Sequence, residues 1–256
     1  MSNQLRYLQN YEKMVEAMLA AYPEDRAMEL AVGGNFEHFG VLEHALLRQI
    51  GMGPNSHVVD VGCGSGRLAV QLSRYEGLRY AGFDIVRALV DYARRKAGRP
   101  DFQYGVLDRH RLPLANDTAD IVAFFSVFTH MLHEESFAYL LEAKRVLRPG
   151  GTAVFSFLEF CLAGHWEIFK SNVDWVCQQT EAGHLNVFIN RADLAIWAEK
   201  LGMELVAIHP GHERFIRVDG NTATAKVPAG DYALGQSVCI LKKPAGAGEQ
   251  EAIRTA

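Results

Sequence analysis

Short apolar runs alternate with helical patterns through the middle of the chain. Five runs have the length and composition of strands, at 57–61, 80–83, 102–104, 121–125 and 152–157. Between them, apolar positions at helical spacing predict helices over 66–75, 87–97 and 135–147. The run at 121–125 is apolar at every position, as in a strand that is buried on both faces. This alternation predicts an α/β fold with a doubly wound, mostly parallel sheet.

The N-terminal part of the chain follows a different pattern. Apolar residues at helical spacing predict helices over 5–22 and 41–50. The segment 31–40 between them contains paired glycines, which disfavour regular structure. We therefore expect residues 1–50 to form a helical cap next to the sheet.

The C-terminal part returns to the strand and helix pattern after an interruption. The interruption at 158–190 is rich in large aromatic side chains and is expected to form an insertion, or lid, beside a substrate. A helix and two strands are then predicted at 191–201, 204–208 and 237–242. These boundaries predict a main domain over 51–243 and a flexible polar tail over 244–256.

Composition narrows the class of protein. The 256 residues are 49% hydrophobic and 22% charged, as in a globular chain with a well-buried core. The formal net charge of −4 makes nucleic acid an unfavourable partner, because phosphates are bound by positive charge. The four cysteines lack CxxC spacing and are expected to be reduced thiols. We find no signal peptide and no apolar stretch of about 20 residues, so we expect a cytoplasmic protein without membrane contact.

The strongest chemical signal is a glycine-rich turn between the first predicted strand of the sheet and the following helix. Gly62, Gly64 and Gly66 permit a tight turn and a close approach of ligand to backbone. A dinucleotide-binding turn would carry its last glycine where this chain has Arg67. The carboxylate of Asp60 next to the turn opposes a pyrophosphate and favours a ligand with positive charge.

The segment from Asp60 to Gly66 resembles the DxGxGxG motif of the class I S-adenosylmethionine-dependent methyltransferases. Asp84, at the end of the second strand, is similar to the family's ribose-binding acid. Asp108, four residues before a Leu-Pro pair, resembles its adenine-binding acid, although the family usually has glycine directly before it. Ser126 follows the fourth strand, as does the residue that lies beside the methionine part of the cofactor in this family.

The resemblance implies a seven-stranded sheet with the last strand antiparallel. It also implies S-adenosylmethionine as cofactor, with S-adenosylhomocysteine as product and no binding of NAD. The cofactor-binding residues would be Asp60, Gly62, Cys63, Gly64, Gly66, Asp84, Ile85, Asp108, Arg109, Phe125 and Ser126.

Methyl transfer in this family is an in-line displacement by a substrate N, O or C nucleophile. We expect a small-molecule metabolite as acceptor, because the Asn/Asp-Pro-Pro-aromatic element of enzymes that methylate base or glutamine nitrogen is absent after the fourth strand. An RNA or protein methyltransferase and a non-catalytic binding subunit with the same fold remain alternatives. No metal is expected, and both a monomer and a homodimer are compatible with the sequence.

Candidate catalytic and lid residues complete the hypothesis. His130 follows the fourth strand and can act as a general base near neutral pH or orient the nucleophile; His133 is a rival, and a purely structural role for His130 is the alternative. An aromatic pocket is expected to close over the cofactor and exclude water, formed by Tyr7, Tyr11, Phe36, Trp166 and Trp175.

Overall fold

Strands and helices alternate along the chain as the sequence predicts. The computed structural model describes residues 8–178, 186–220 and 227–245. In chain order, the strands within these residues are β1 (His57–Val61), β2 (Arg79–Asp84), β3 (Gln103–Val106), β4 (Ala119–Phe124), β5 (Leu147–Phe157), β6 (Glu204–His209), β7 (Ile216–Val218), β8 (Gly230–Tyr232) and β9 (Ser237–Lys242).

Seven of these strands form one sheet in the order β3-β2-β1-β4-β5-β9-β6. Strand β1, in the interior of the sheet, pairs in parallel with β2 and β4. The last strand β9 pairs antiparallel with β5 and β6. The prediction of a doubly wound, mostly parallel sheet with an antiparallel last strand is therefore confirmed. Strands β7 and β8 form a separate hairpin in the long connection before β9, where no strand was predicted.

Helices cover both faces of this sheet. Within the described residues they are α1 (Leu8–Ala21), α2 (Glu24–Ala31), α3 (Phe36–Gln49), α4 (Arg67–Leu72), α5 (Arg87–Ala97), α6 (His133–Val146), α7 (Ala163–Gln178) and α8 (Arg191–Leu201). No helix in these residues is both long enough and apolar enough to cross a bilayer.

Strand β4 shows how the sheet divides the hydrophobic core into two clusters. Val122 and Phe124 belong to one cluster, whereas Ile121 and Ala123 belong to the other. Successive side chains of a strand point to opposite faces, so both faces of β4 are covered. This explains why its sequence is apolar without alternation.

The N-terminal region differs from the predicted pair of helices. The helix predicted over 5–22 ends at Ala21, and Pro23 precedes a further helix, α2, which the apolar spacing did not predict. The break shrinks from the predicted ten residues of 31–40 to four, because α2 extends to Ala31 and α3 begins at Phe36. The break has a local cause, since its glycines adopt positive φ angles of 86° and 77°.

The helices α1 and α2 pack on α5, and Tyr11 of α1 also packs against the core cluster on one face of the sheet. Val15 of α1, Met28 of α2 and Leu89 of α5 belong to one buried cluster. The Ser65 hydroxyl also donates to the Met28 carbonyl at 2.9 Å, which joins α2 to the glycine-rich turn. These contacts hold α1 and α2 over the carboxyl ends of the parallel strands. We refer to α1, α2 and the segment 32–35 together as the cap.

Gly40 marks a close approach between α3 and α4. A Cβ atom at this position would lie 2.5 Å from the Arg67 carbonyl oxygen, a backbone atom that cannot rotate away. Gly164 near the start of α7 provides the contrast, because a Cβ there would meet no atom within 4 Å. The two helical glycines therefore stand in opposite steric environments.

We predict that Gly40→Ala destabilises the protein although alanine is the better helix former. Overpacking against the α4 backbone should lower the free energy of unfolding by about 1–3 kcal/mol. Gly164→Ala is the matched control and should be neutral or stabilising by up to about 1 kcal/mol. Urea unfolding of both variants measures the difference. Equal stability of the two variants would contradict the close packing of α3 on α4.

Candidate active site

A cavity of about 400 Å³ opens at the carboxyl ends of β1, β2 and β4. Open α/β sheets bind ligands at this edge, and the volume lies in the range of small-molecule sites. The described residues that line it are Tyr11, Met14, Leu30, Ala31, Val32, Gly33, Val61, Gly62, Cys63, Gly64, Arg67, Asp84, Ile85, Leu89, Leu107, Phe125, Ser126, Val127, His130, Met131, Tyr139 and Gln236.

The glycine-rich turn after β1 forms one wall of this cavity. The backbone N–H groups of Gly62 and Cys63 donate to the Phe83 carbonyl at 2.7 and 2.9 Å, which joins the turn to the end of β2. Gly64 has a φ of 52°, and a Cβ there would lie 2.6 Å from the Val32 side chain in the cap. The turn therefore has no room for a larger side chain between the cavity and the cap.

Asp84 fixes the geometry of two loops at once. One of its carboxylate oxygens accepts the Gly64 N–H at 2.9 Å, and the other accepts the Val86 N–H at 3.0 Å. Burial raises the pKa of Asp84, and the two backbone donors partly oppose that rise. Each oxygen still has a lone pair for a further donor, so the carboxylate can bind hydroxyl groups of a ligand.

Asp60 lies beneath the turn and does not line the cavity. Its side chain is buried and accepts a hydrogen bond of 2.8 Å from the Tyr80 hydroxyl. Burial raises the pKa of Asp60 to about 6, and the bond from Tyr80 acts in the opposite direction. A direct contact between Asp60 and a ligand therefore stays a prediction; the structure shows a buried carboxyl group that is bound to Tyr80.

Arg67 connects the turn to both the cap and α3. Its guanidinium lies 2.7 Å from the buried Glu43 carboxylate and donates to the Val32 carbonyl at 3.2 Å. Burial raises the pKa of Glu43 to about 7, and the Arg67 charge opposes that rise. Where a dinucleotide-binding turn has a glycine, this chain has a side chain that fastens the cap.

The cap forms a further wall of the cavity, with Tyr11, Met14 and residues 30–33 in the lining. Tyr11 of α1 meets His130 edge to face, with ring centroids 5.7 Å apart. His130 ends a short 3₁₀ helix over Phe128–His130, just beyond β4. Burial and the nearby charge of Asp84 both raise the pKa of Tyr11. The predicted cap residue Tyr11 and the candidate base His130 are thus brought together at the cavity wall.

Three of the sequence segments that suggested this site meet at the cavity. They are the glycine-rich turn, the end of β2 and the segment after β4. The lining includes Tyr11, Gly62, Cys63, Gly64, Asp84, Ile85, Phe125, Ser126 and His130. Gly66 has a φ of 89° and packs against Ala93 of α5, behind the cavity wall. Glycine is required at this position because a larger residue would collide with α5, not because a ligand approaches it directly.

Other predicted residues lie outside the cavity lining. Asp108 and Arg109 are exposed and pair with each other at 3.0 Å, while the adjacent Leu107 lines the cavity. The His133 ring lies 2.9 Å from the Phe188 carbonyl oxygen and faces away from the site. The roles of Asp108 and His133 remain predictions that the position of their side chains does not support.

The predicted aromatic lid is dispersed in the structure. Phe36 lines a second cavity, on the far side of the cap, and Trp166 on α7 is 44% exposed. Trp175 is half-buried further along α7 and does not line the first cavity. Tyr7 lies outside the described residues. Tyr11 is the member of this predicted set that the structure places at the cavity.

Sequence reasoning missed several residues of the cavity wall. Met131 and Tyr139 come from the segment after β4, and Gln236 comes from the segment before β9. Tyr139 and Gln236 belong to no motif, Met131 ends the segment that resembles the fourth-strand motif without being singled out there, and Gln236 is separated from Ser126 by 110 positions. No group of three or more His, Cys, Asp or Glu side chains suited to a metal ion occurs among the described residues.

Comparison with known proteins finds similarity to methyltransferases over part of the chain. Residues 59–155 match a family described as a methyltransferase domain. The chain is 33% identical over 102 residues to the malonyl-(acyl-carrier protein) O-methyltransferase of Hahella chejuensis, covering 40% of this chain and 36% of that protein. It is 27% identical over 194 residues to the methyltransferase GfsG of Streptomyces halstedii, covering 74% and 66%.

The fold is shared with solved structures. Magnesium protoporphyrin IX methyltransferase from Synechocystis, solved with bound S-adenosylhomocysteine, superposes with a TM-score of 0.60. The identity is 17%, and the alignment covers 92% of this chain and 97% of that one. At this identity the likeness shows the fold. The Hahella and Streptomyces relatives are matched over about one third to two thirds of their own length.

The buried carboxyl group of Asp60 predicts a pH dependence of stability. Its pKa is about 6 in the folded chain, against an ordinary value of 3.8. The folded state therefore binds more protons than the unfolded state between pH about 4 and 6, and stability falls as pH rises through this window. Asp60→Asn should remove a fall on the order of 3 kcal/mol in the free energy of unfolding.

Urea unfolding between pH 4 and 8 checks this expectation. Glu43, whose pKa is raised from 4.5 to about 7, should leave a fall of similar size, between pH about 4.5 and 7, in the Asp60→Asn variant. Tyr80→Phe tests the cause, because loss of the hydroxyl donor should raise the pKa of Asp60 and deepen the fall. An unchanged profile in Asp60→Asn would show that this carboxyl does not ionise in the window.

Proposed function

We propose that this chain is a class I S-adenosylmethionine-dependent methyltransferase that transfers the methyl group of S-adenosylmethionine to a small-molecule acceptor, a proposal that the matched domain and the fold support. The observation that carries the proposal is the shared wall formed by the glycine-rich turn and the Asp84 carboxylate. Both face one cavity at the carboxyl edge of the sheet.

The residues of this cavity fit the chemistry of the proposed cofactor. Asp84 has lone pairs for two ribose hydroxyls, and Gly62 and Gly64 allow backbone groups to approach a ligand closely. Ile85 and Leu107 add apolar surface next to Asp84, which suits a purine ring. When bound, the cofactor supplies a methyl group on a positively charged sulfur, which is a good leaving group.

The chain would contribute mainly by holding the acceptor in line and by excluding water. Orientation of two reactants can lower a barrier by about 7–11 kcal/mol. Tyr11 and Met14 of α1 close the cavity on the acceptor side, next to His130. His130 would accept the proton that an oxygen or nitrogen nucleophile loses on methylation, a step that adds on the order of 10²–10⁴-fold.

The proposed class of methyl acceptor rests on the polarity and charge of the cavity lining. Its lining is mostly aliphatic and aromatic, and its cationic side chain, Arg67, is already paired with Glu43. Such a wall suits a small apolar molecule better than a phosphate backbone. The Hahella relative is named for O-methylation, which supports an oxygen nucleophile, although the proposal covers N, O and C.

We predict that the turn at Gly64 is required for cofactor binding. Gly64→Ala places a Cβ against Val32 and should lower the affinity for S-adenosylmethionine and S-adenosylhomocysteine by at least 10-fold, on the order of the overpacking cost. Gly98→Ala is the matched control, since Gly98 also has a positive φ, of 63°, but open space around it. Calorimetry measures both variants.

The same calorimetry tests the proposed cofactor itself. The unsubstituted protein should bind both sulfur compounds and should not bind NAD. Equal losses in Gly64→Ala and Gly98→Ala would indicate backbone strain instead of a blocked site. Binding of NAD without binding of either sulfur compound would refute the proposed function.

We predict that His130→Asn and His130→Ala lower turnover by about 10²-fold or more while the affinity for S-adenosylhomocysteine stays within about twofold. Both should also lose the acidic limb of the pH profile, because the proton acceptor is gone. His133→Ala is the control, since His133 faces the Phe188 carbonyl outside the cavity. Turnover is measured with an acceptor found by screening small nucleophiles against labelled cofactor. If turnover of the His130 variants falls only a few-fold, His130 is not the general base.

A further inference from the structure

Gln236 reaches the cavity from a part of the chain that no motif covers. It precedes β9 by one residue, and its side chain lines the cavity together with Ser126 and His130. These two neighbours follow β4, on the side where the methyl acceptor would enter. Gln236 is thus an uncharged polar group in a mostly apolar wall.

The amide of Gln236 is held in one orientation by two hydroxyl groups. The Ser156 hydroxyl donates to its Oε1 at 2.6 Å, and the Ser126 hydroxyl donates to the same atom at 3.3 Å. Ser156 Oγ in turn accepts the Ser126 backbone N–H at 2.7 Å. With Oε1 turned to the ends of β4 and β5, the Nε2 atom carries two N–H groups, and no described residue accepts a hydrogen bond from them.

The backbone on both sides of Gln236 is fixed as well. Gly235 donates to the Gly211 carbonyl at 3.0 Å, and its own carbonyl lies 2.8 Å from His165 Nε2. The other His165 nitrogen, Nδ1, accepts the Glu159 N–H at 3.0 Å, so Nε2 carries the proton and donates to Gly235. The position before Gln236 is therefore held by neutral histidine and backbone groups.

The position after Gln236 is held by a buried carboxylate. The Ser237 hydroxyl donates to Glu159 and accepts the Gly211 N–H. Glu159 is 1% exposed and makes two further bonds to Arg191, at 2.6 and 2.8 Å. These partners hold the pKa of Glu159 below its ordinary range, so the anchor stays ionised at neutral pH. A polar group supported in this way is preorganised for a ligand.

The charges around the cavity restrict the group that this amide can receive. Among the described lining residues, the charged side chains are Asp84 and Arg67, and Arg67 is occupied by Glu43 and the Val32 carbonyl. A carboxylate placed at Gln236 would be buried without a cation, which is costly. A neutral oxygen is the acceptor that an amide N–H satisfies there.

We propose that Gln236 is a positioning residue whose Nε2–H groups donate to a neutral carbonyl or hydroxyl oxygen of the methyl acceptor. This inference rests on the proposed methyl transfer and assigns it a substrate class: small, largely apolar molecules with an uncharged oxygen. The amide would hold that oxygen at a fixed place relative to His130, so that the acceptor enters in one orientation.

The test uses five small aromatic probes on the purified protein, with and without S-adenosylhomocysteine. The probes are acetophenone, phenol, benzoate, benzylamine and toluene, and ligand-observed NMR measures their dissociation constants. Acetophenone and phenol should bind more tightly than toluene, benzoate and benzylamine. In Gln236→Met the dissociation constants of acetophenone and phenol should rise on the order of 3- to 10-fold while that of toluene stays constant.

A second variant separates positioning from structural support. Gln236→Glu keeps oxygen acceptors for Ser126 and Ser156 but removes both N–H donors. It should lose acetophenone and gain benzylamine, a change of preference that a merely structural role would not produce. Gln103→Met, at an exposed position of β3, controls for the substitution. Thermal unfolding of each variant confirms that the sheet is intact.

The outcomes distinguish this inference from the proposed function. Unchanged affinity for acetophenone and phenol in Gln236→Met, with S-adenosylhomocysteine still bound, overturns the role of Gln236 and leaves methyl transfer standing. Tight benzoate binding would likewise overturn the neutral-oxygen assignment. Failure of S-adenosylhomocysteine to bind the unsubstituted protein would count against methyl transfer, while the probe series without it would still decide whether Gln236 selects oxygen.

Discussion

The geometry of the site depends on one buried carboxylate, that of Asp84. By accepting the N–H of Gly64 and the N–H of Val86, it joins the loop after β1 to the loop after β2. Two adjacent parallel strands end at the same level, and Asp84 fixes the loop after one relative to the loop after the other. Loss of this carboxylate would leave two buried donors without a partner, which costs about 1–3 kcal/mol for each. Residues of both loops line the cavity.

The cap is fastened to the same turn from the other side. Arg67, directly after the glycines, binds Glu43 of α3 and the Val32 carbonyl of the cap, and Ser65 binds the Met28 carbonyl. Cofactor wall and cap therefore share a few adjacent residues. The position of the cap is therefore fixed by the same residues that shape the turn.

The acceptor side is built on a different principle. Ser126 adopts a φ of 59°, a left-handed conformation that is uncommon for a residue with a side chain. Its N–H and hydroxyl are both engaged, with Ser156 and Gln236, and these bonds offset the local strain. The charged support, Glu159 with Arg191, lies behind this network. The Glu159–Arg191 ion pair therefore supports this part of the cavity wall from behind, while Ser126 and Gln236, which face the cavity, are uncharged.

The sequence by itself determined the sheet, the glycine-rich turn and the acid at the end of β2. Those features are encoded locally, in strand periodicity and in glycines at positive φ, and the carboxyl ends of parallel strands bring Gly64, Asp84 and Ser126 together. The tertiary structure alone decided the rest. Asp108 follows the edge strand β3 and remains exposed, because no further strand covers it among the described residues. Gln236 reaches the cavity through bonds to residues far away in the chain, and such distant partners leave no periodic trace in a sequence.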